Sequence, residues 1–337
     1  LEFRRVLFRS SCVDAVAKKA TFIRQVAAEL GLSRLKALHG RVEQLHISKA
    51  DVITSRAFAS LADMVSLTRP HLAEGGVWMA MKGHIPQEEI QALPADVEVF
   101  HGNVIHAPSL EGAFTGCKAV IHLVGIINEW KENTFQRTHV QATLNVLDAA
   151  KRAGVKRYVQ MSALGTRAGA ASRYHQTKWE AEEAVRKSGL AWTIIRPSLI
   201  YGPGDRSVNV LAQTVRLAPF VPVLGDGRAK IQPVAVEHVA QSFVGSVRTD
   251  ATVQKTYDLC GPVAFSWNEL FDKLLAVQHL RRPKLHLPVP MARCLGAVLE
   301  KTSPYPPFNR EQVIMSREDN EGDPGPAERD FCFNQEP

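Results

Sequence analysis

A chain of 337 residues, 45% hydrophobic and 22% charged, has the length of two ordinary domains and the composition of a globular protein, not a disordered or membrane-embedded one. The formal net charge of +7 is spread along the sequence without a basic block, which argues for a solvated surface over a polyanion-binding stripe. No run approaches the roughly 18 apolar residues of a membrane span and no secretory leader is evident, so the expected address is cytoplasmic. The five cysteines are scattered without disulfide or zinc-ligand spacing, and no metal site is expected.

Residues 1–10, LEFRRVLFRS, fit no element that follows and read as vector- or adapter-derived. Periodicity then predicts a helix over 14–30, a strand at LKALHG, a strand at ADVITSRAFAS and a helix at LADMVSLTRPHL. A turn at Gly75-Gly76, a strand at VWMAMKG and a helix at PQEEIQAL follow, and Leu93-Pro94 breaks the pattern. A second series runs through VEVFHGNV, a helix near 108–116, a buried strand AVIHLVG, a helix over 135–153, a strand RYVQMSA, a helix over 173–188 and a strand WTIIRPSLIYGPG. Short apolar runs alternating with helical periods predict an α/β fold, parallel sheets with helices on their faces. Residues 205–260 mix helix with short strands, and from GPVAFSWNELFDKLL the chain becomes mostly helical and proline-broken. After Arg317 the polar EDNEGDPGPAERD predicts a loose tail. The segments expected are therefore 1–10, 11–93, 94–260 and 261–337.

In residues 11–93 the pieces VDAVAKKATFIRQV, GRVEQL, DVITSRAFASL and MKGHIPQEEI, in that order, resemble the C-terminal half of the small-subunit (16S) ribosomal RNA guanine-N7 methyltransferase family. The resemblance implies a Rossmann-like crevice for S-adenosylmethionine outside the carboxyl ends of the strands. It implies Asp14 near the ribose hydroxyls, Val42 and Glu43 near the adenine, and Arg56 near the cofactor and the rRNA. A carboxylate accepts two ribose hydroxyls and a guanidinium meets a carboxylate or phosphate. Taken singly, Asp14 caps a helix as readily, Glu43 is solvated and Arg56 pairs locally. The family's first strand and glycine-rich loop belong before Asp14, where LEFRRVLFRSSC stands, so this site is expected to be incomplete.

From about residue 96 to 330, VIHLVGIINE, VKRYVQMSALG, YHQTK, IIRPSLIYGPGD, PVAVEHVA and YDLCGP resemble the atypical short-chain dehydrogenases. The branch is that similar to the thirty-nine-kilodalton accessory subunit of respiratory complex I. Tyr174 and Lys178 stand at i and i+4 and share a helical face. The resemblance implies that Lys178 reaches the ribose of NAD(P) and lowers the Tyr174 phenol for proton transfer, while Ser162 at a strand end binds the substrate oxygen. It places Leu123, Val124 and Gly125 along the adenosine side, Pro197, Ser198, Leu199 and Ile200 beside the nicotinamide, and Asn103 near the adenine, where the family usually has Asp. His122 reads as a satisfied strand histidine.

No GxGxxG or GxxGxxG precedes VIHLVG, so the strand, turn and helix that receive a pyrophosphate are missing from this series too. Two Rossmann-like halves thus meet near residues 93–100, each without its first strand and glycine loop. Three readings stand open: a mis-assembled reading frame, a degenerate dinucleotide-binding scaffold with a respiratory-complex or other assembly partner, and an oxidoreductase or methyltransferase whose halves compensate each other. A small-molecule substrate is expected in the dehydrogenase case, rRNA in the methyltransferase case.

Overall fold

The computed structural model describes residues 10–15, 35–56, 60–81, 102–202, 207–303 and 306–333, with isolated positions among 17–25 and 88–92 and at 205. The chain divides into two compact units, residues 1–100 and 101–337. The helices expected over 14–30 and at PQEEIQAL, and the strand at VEVF, fall largely outside the described residues.

In the first unit, β1 (Ser10–Asp14) pairs in parallel with β2 (Leu35–His39), and a 3-10 turn over Val42–Gln44 follows β2. β3 (Ala50–Arg56) leads into α1 (Leu61–Thr68), whose Ser60 cap accepts the Asp63 N–H at 3.0 Å and so satisfies one orphan donor. β4 (Leu72–Met81) returns parallel to β3. Trp78 Nε1 donates to Thr68 Oγ1 at 2.9 Å, tying β4 to α1. Gly75-Gly76, expected as a turn, lies inside β4. The pairing jumps there from Ala50↔Leu72 to Val52↔Val77, and glycine is the residue that tolerates such an irregularity.

The second unit is built on four parallel strands, the one at Lys255–Leu259 (β12) standing at one edge and followed across the sheet by β7, β6 and β5. β5 is Ala119–His122, β6 Arg157–Met161 and β7 Ala191–Pro197. A π-helical turn (Gln136–Gln141) and α2 (Ala142–Arg152) connect β5 to β6, and α3 (Arg173–Arg186) connects β6 to β7. Residues alternate between two faces, as period-2 strands demand. Val120, Tyr158 and Ile194 join Val146, Ala150 and Val185 in one core, while Val159, Ile195 and Leu259 join Val239 and Phe243 in the other. The helix expected near 108–116 is only a 3-10 turn, Ala107–Leu110; Gly112 and Gly116, at φ 77° and 75°, turn the chain out of the helical region.

Beyond β7 come β8 (Ile200–Tyr201), α4 (Val208–Leu217), β9 (Val221–Leu224), β10 (Lys230–Ile231), β11 (Val234–Ala235), α5 (Val236–Arg248) and β12 (Lys255–Leu259). β13 (Phe265–Ser266), α6 (Trp267–Val277), β14 (Lys284–Leu287), α7 (Val289–Thr302), α8 (Arg310–Met315) and α9 (Gly325–Phe331) complete the chain. A smaller core forms where Val215, Val221, Val223, Phe271 and Leu275 meet.

The segment after Arg317 is not loose. Asn320 Nδ2 donates to Leu164 O at 2.9 Å and its Oδ1 accepts Ser198 Oγ–H at 2.8 Å. Phe331 and Phe333, each 5% exposed, fill the core against Tyr257 and Phe243. Composition hides this because the two phenylalanines lie beyond the polar run. Among the described residues no helix is long and apolar enough to cross a membrane, and no group of metal-ligating side chains is assembled.

Candidate functional site

The carboxyl end of β6 and the first two turns of α3 form the site. Ser172 caps α3 by accepting the His175 N–H at 3.2 Å, which fixes where the helix begins and hence where its faces point. Lys178 is buried, 4% exposed, and its Nζ donates to Met161 O at 3.2 Å, at the residue before Ser162. Burial drives its ammonium down to about 8, opposed by Glu182 one turn further along α3. One of the three ammonium hydrogens is thereby placed; the rest face the loop after β5. A Cβ at Gly125 would stand 3.0 Å from Nζ and 3.7 Å from His139 Nε2. The glycine leaves a cradle above the lysine that any side chain would fill, and a ribose edge with two hydroxyls matches its spare donors.

Tyr174 is half-buried against Phe135 and His139, edge-on at ring-centroid distances of 5.9 and 5.3 Å. The expectation was a phenol lowered by Lys178. The direction is opposite: burial pushes Tyr174 up to about 12. Desolvation of the phenolate sets the direction, and the Lys178 Nζ is turned to the Met161 carbonyl.

His139, which sequence reading passed over, holds these parts together. It is 1% exposed and lies in the π-helical turn. Its Nδ1 is 2.9 Å from Thr177 Oγ1, and its Nε2 is 3.0 Å from Ile126 O and 3.2 Å from Ile126 N. If Thr177 donates to Arg173 O or Tyr174 O, both at 3.0 Å, Nδ1 carries the proton and Nε2 accepts the Ile126 N–H. In the other tautomer Nε2–H donates to Ile126 O. Both satisfy a neutral ring, and burial followed by the Lys178 charge lowers it to about 3.

Ser162 is 3% exposed, with its N–H on Ile195 O at 2.7 Å and its Oγ 3.4 Å from Thr166 Oγ1. Leu123 and Val124 are exposed beyond β5, at 55% and 38%. Pro197 ends β7; Ser198 turns its hydroxyl to Asn320, and Leu199 O accepts the Val234 N–H at 2.9 Å just before Ile200 enters β8. All stand at the carboxyl ends of the parallel strands. Asn103 is exposed and closes its own turn, accepting the Ile105 N–H at 3.0 Å. His122 Nε2 is buried without a hydrogen-bond partner, so the histidine expected to be satisfied has at least one ring nitrogen that is not.

In the first unit, Asp14 is the last residue of β1, and Val42 and Glu43 follow its partner β2, so both groups lie at the carboxyl end of one parallel pair. Glu43 pairs with Arg41 at 3.0 Å, local and partly exposed. Arg56 ends β3. The side chains of Asp14 and Arg56 lie outside the described residues.

One turn beyond Lys178 on α3, Glu182 is fully buried and accepts Arg196 Nε at 2.8 Å and Arg186 at 2.7 Å, while Trp179 stacks under both guanidinium groups. This network fixes the helix against β7.

Residues 2–117 match the family described as rRNA small subunit methyltransferase G, and residues 84–218 match one described as NAD(P)H-binding. Over 101 residues the chain is 61% identical to the ribosomal RNA small subunit methyltransferase G of Methylibium petroleiphilum and 64% identical to that of Leptothrix cholodnii. Each alignment covers 30% of this chain and 46% of the relative, so the chain spans less than half the length of these curated relatives. Among solved structures, a nucleoside-diphosphate-sugar epimerase from Staphylococcus aureus superposes with a TM-score of 0.58 at 13% identity, covering 98% of each chain. A dTDP-glucose 4,6-dehydratase from Streptomyces venezuelae, solved with NAD, gives 0.56 at 16% identity, covering 98% of this chain and 92% of that one. The shared feature is the Rossmann-like parallel α/β fold.

Proposed function

We propose that this chain, a methyltransferase-G segment followed by an NAD(P)-binding segment, works through the second segment as a nicotinamide-dinucleotide-binding protein of the atypical short-chain dehydrogenase kind, binding better than it catalyses. The observation that carries this is Lys178, a buried ammonium with spare donors beneath the cradle at Gly125. The dinucleotide supplies a hydride donor or acceptor. Lys178 holds ribose hydroxyls, and His139 fixes the Ile126 backbone that forms the wall opposite. Tyr174, raised to about 12, stays a neutral phenol at physiological pH. It can donate a hydrogen bond or proton to a carbonyl oxygen and is a poor base, which favours reduction over oxidation and binding over turnover.

Titration with NADPH, followed by its fluorescence, tests this. Lys178→Ala is expected to weaken binding about tenfold or more, because a charge-assisted hydrogen bond contributes roughly 1.5–3 kcal/mol. Tyr174→Phe should leave binding nearly unchanged. Equal binding by Lys178→Ala and the parent chain refutes the assignment. A second reading, S-adenosylmethionine binding by the first unit, is supported by Asp14 and Val42–Glu43 sharing the carboxyl end of β1 and β2; calorimetry with that cofactor decides it.

A further inference from the structure

A helix on a solvated surface ordinarily turns its large apolar residues inward. α7 does the reverse. The residues that it buries are small: Ala292 is fully buried, and Gly296 lies against the Asn309 cap of α8, where a Cβ would stand 3.0 Å from Asn309 C and 3.1 Å from Arg310 N. The residues that it turns outward are large and apolar. Met291, Leu295 and Val298, spaced i, i+4 and i+7, are 57%, 43% and 58% exposed, and Cys294 among them is exposed too. That spacing puts them on a single stripe along the helix. Arg293 and Lys301, about two turns apart and both exposed, border the stripe on one side. The surrounding sequence is cationic. Between His279 and Thr302 five Lys or Arg stand against one acid, Glu300, which is itself taken up by Arg310, while Lys284 is held by Asp272 at 2.6 Å.

We propose that α7 docks on an anionic lipid bilayer, lying in the plane of the interface with Met291, Leu295 and Val298 toward the acyl chains and Arg293 and Lys301 among the headgroup phosphates. The inference is independent of dinucleotide binding. An apolar stripe bordered by Arg and Lys is held at such a surface by apolar transfer and by attraction to lipid charge together. No span is required, because such a stripe sinks only about 5–10 Å. The stripe has no route into the protein either. Rolling α7 inward would drive a side chain into the space that Gly296 leaves for the Asn309–Arg310 backbone. A second copy of the chain fits less well than a bilayer. α7 has 14 residues, so it is about 21 Å long and about 10 Å across, a strip far short of the roughly 800 Å² per partner of a stable interface. Widening that contact would set the cationic surroundings of one copy against those of the other, and like charges oppose it. A bilayer is a continuous surface of opposite charge.

Flotation of the full chain with vesicles of pure phosphatidylcholine, and of phosphatidylcholine and phosphatidylglycerol in equal parts, tests this. The mixed vesicles should bind about tenfold more tightly than the neutral ones at low salt, and high salt should erode the preference by screening. Leu295→Gln with Val298→Gln should weaken binding to the mixed vesicles about tenfold, through loss of apolar transfer. Arg293→Gln with Lys301→Gln should narrow the preference for the mixed vesicles several-fold. All four side chains are exposed, so melting temperatures close to the parent's serve as the folding check. Lys178→Ala should float as the parent does, whatever it does to NADPH. Absence of binding to the mixed vesicles, equal binding to both kinds, or parent-like behaviour of either double variant overturns the assignment. So does a parent that sediments as a dimer while the Leu295→Gln, Val298→Gln variant sediments as a monomer, because a second copy would then cover the stripe.

Discussion

At the scale of single residues, Lys178 shows how an ammonium is kept buried at a cost to the fold. Its ammonium titrates near 8 in the folded chain against about 10.5 when solvated, so between those values the unfolded chain holds a proton that the folded one lacks. Stability contributed by this site therefore rises with pH from 8 to 10.5, and below 8 the buried charge is a full liability. Lys178→Met should melt at a higher temperature than the parent at pH 7, with the gap narrowing by pH 10. A constant gap across that range would mean that Lys178 is not desolvated as described. The pair Tyr174 and Lys178 was legible because four-residue spacing fixes a shared helical face whatever the fold. The phenol's upward shift was not, because it depends on Phe135 and His139, rings from another element. His139 left no mark in THVQ, since a lone histidine in a helical stretch carries no pattern.

Among the elements, the sheet and its crossovers could be read from alternation, because strands covered on both faces and helices of period 3.6 leave different apolar spacings. What escaped were irregularities set by pairing or packing. The double glycine fell inside β4 because the register of β3 shifts there, and the π-helical turn before α2 is invisible to a hydrophobic period. α9 escaped for another reason: Ala327 is a lone anchor in a polar run and Phe331 lies just beyond that run. Phe331 is 5% exposed and packs on Tyr257, with Lys255 and Tyr257 both reaching Asp330 on the same helix. Phe331→Ala should cost about 3–5 kcal/mol, the usual penalty for emptying an aromatic core position. Urea denaturation followed by tryptophan fluorescence measures it, and a loss under 1 kcal/mol would return α9 to the status of a loose tail.

For the molecule as a whole, acid is the expected weakness of the second unit. His122, His139 and His175 are buried and lowered to about 4, 3 and 4, first by desolvation, against roughly 6.5 in an unfolded chain. Between pH 6.5 and those values the unfolded state takes up protons that the folded state refuses, so stability present at neutral pH is lost as pH falls. The urea midpoint should drop steeply from pH 7.5 to pH 5; a flat profile would show these imidazoles accessible to protons in the folded chain. The bond from Ser198 to Asn320 spans 122 residues, and it sets an order of events during synthesis. Ribosomes add about 5–20 residues per second, so Asn320 is made roughly 6–24 s after the serine it secures. For that interval the nascent protein has its lysine, tyrosine and histidine in sequence but no clasp across the end of β7. A message truncated before codon 320 would yield a chain that never acquires one.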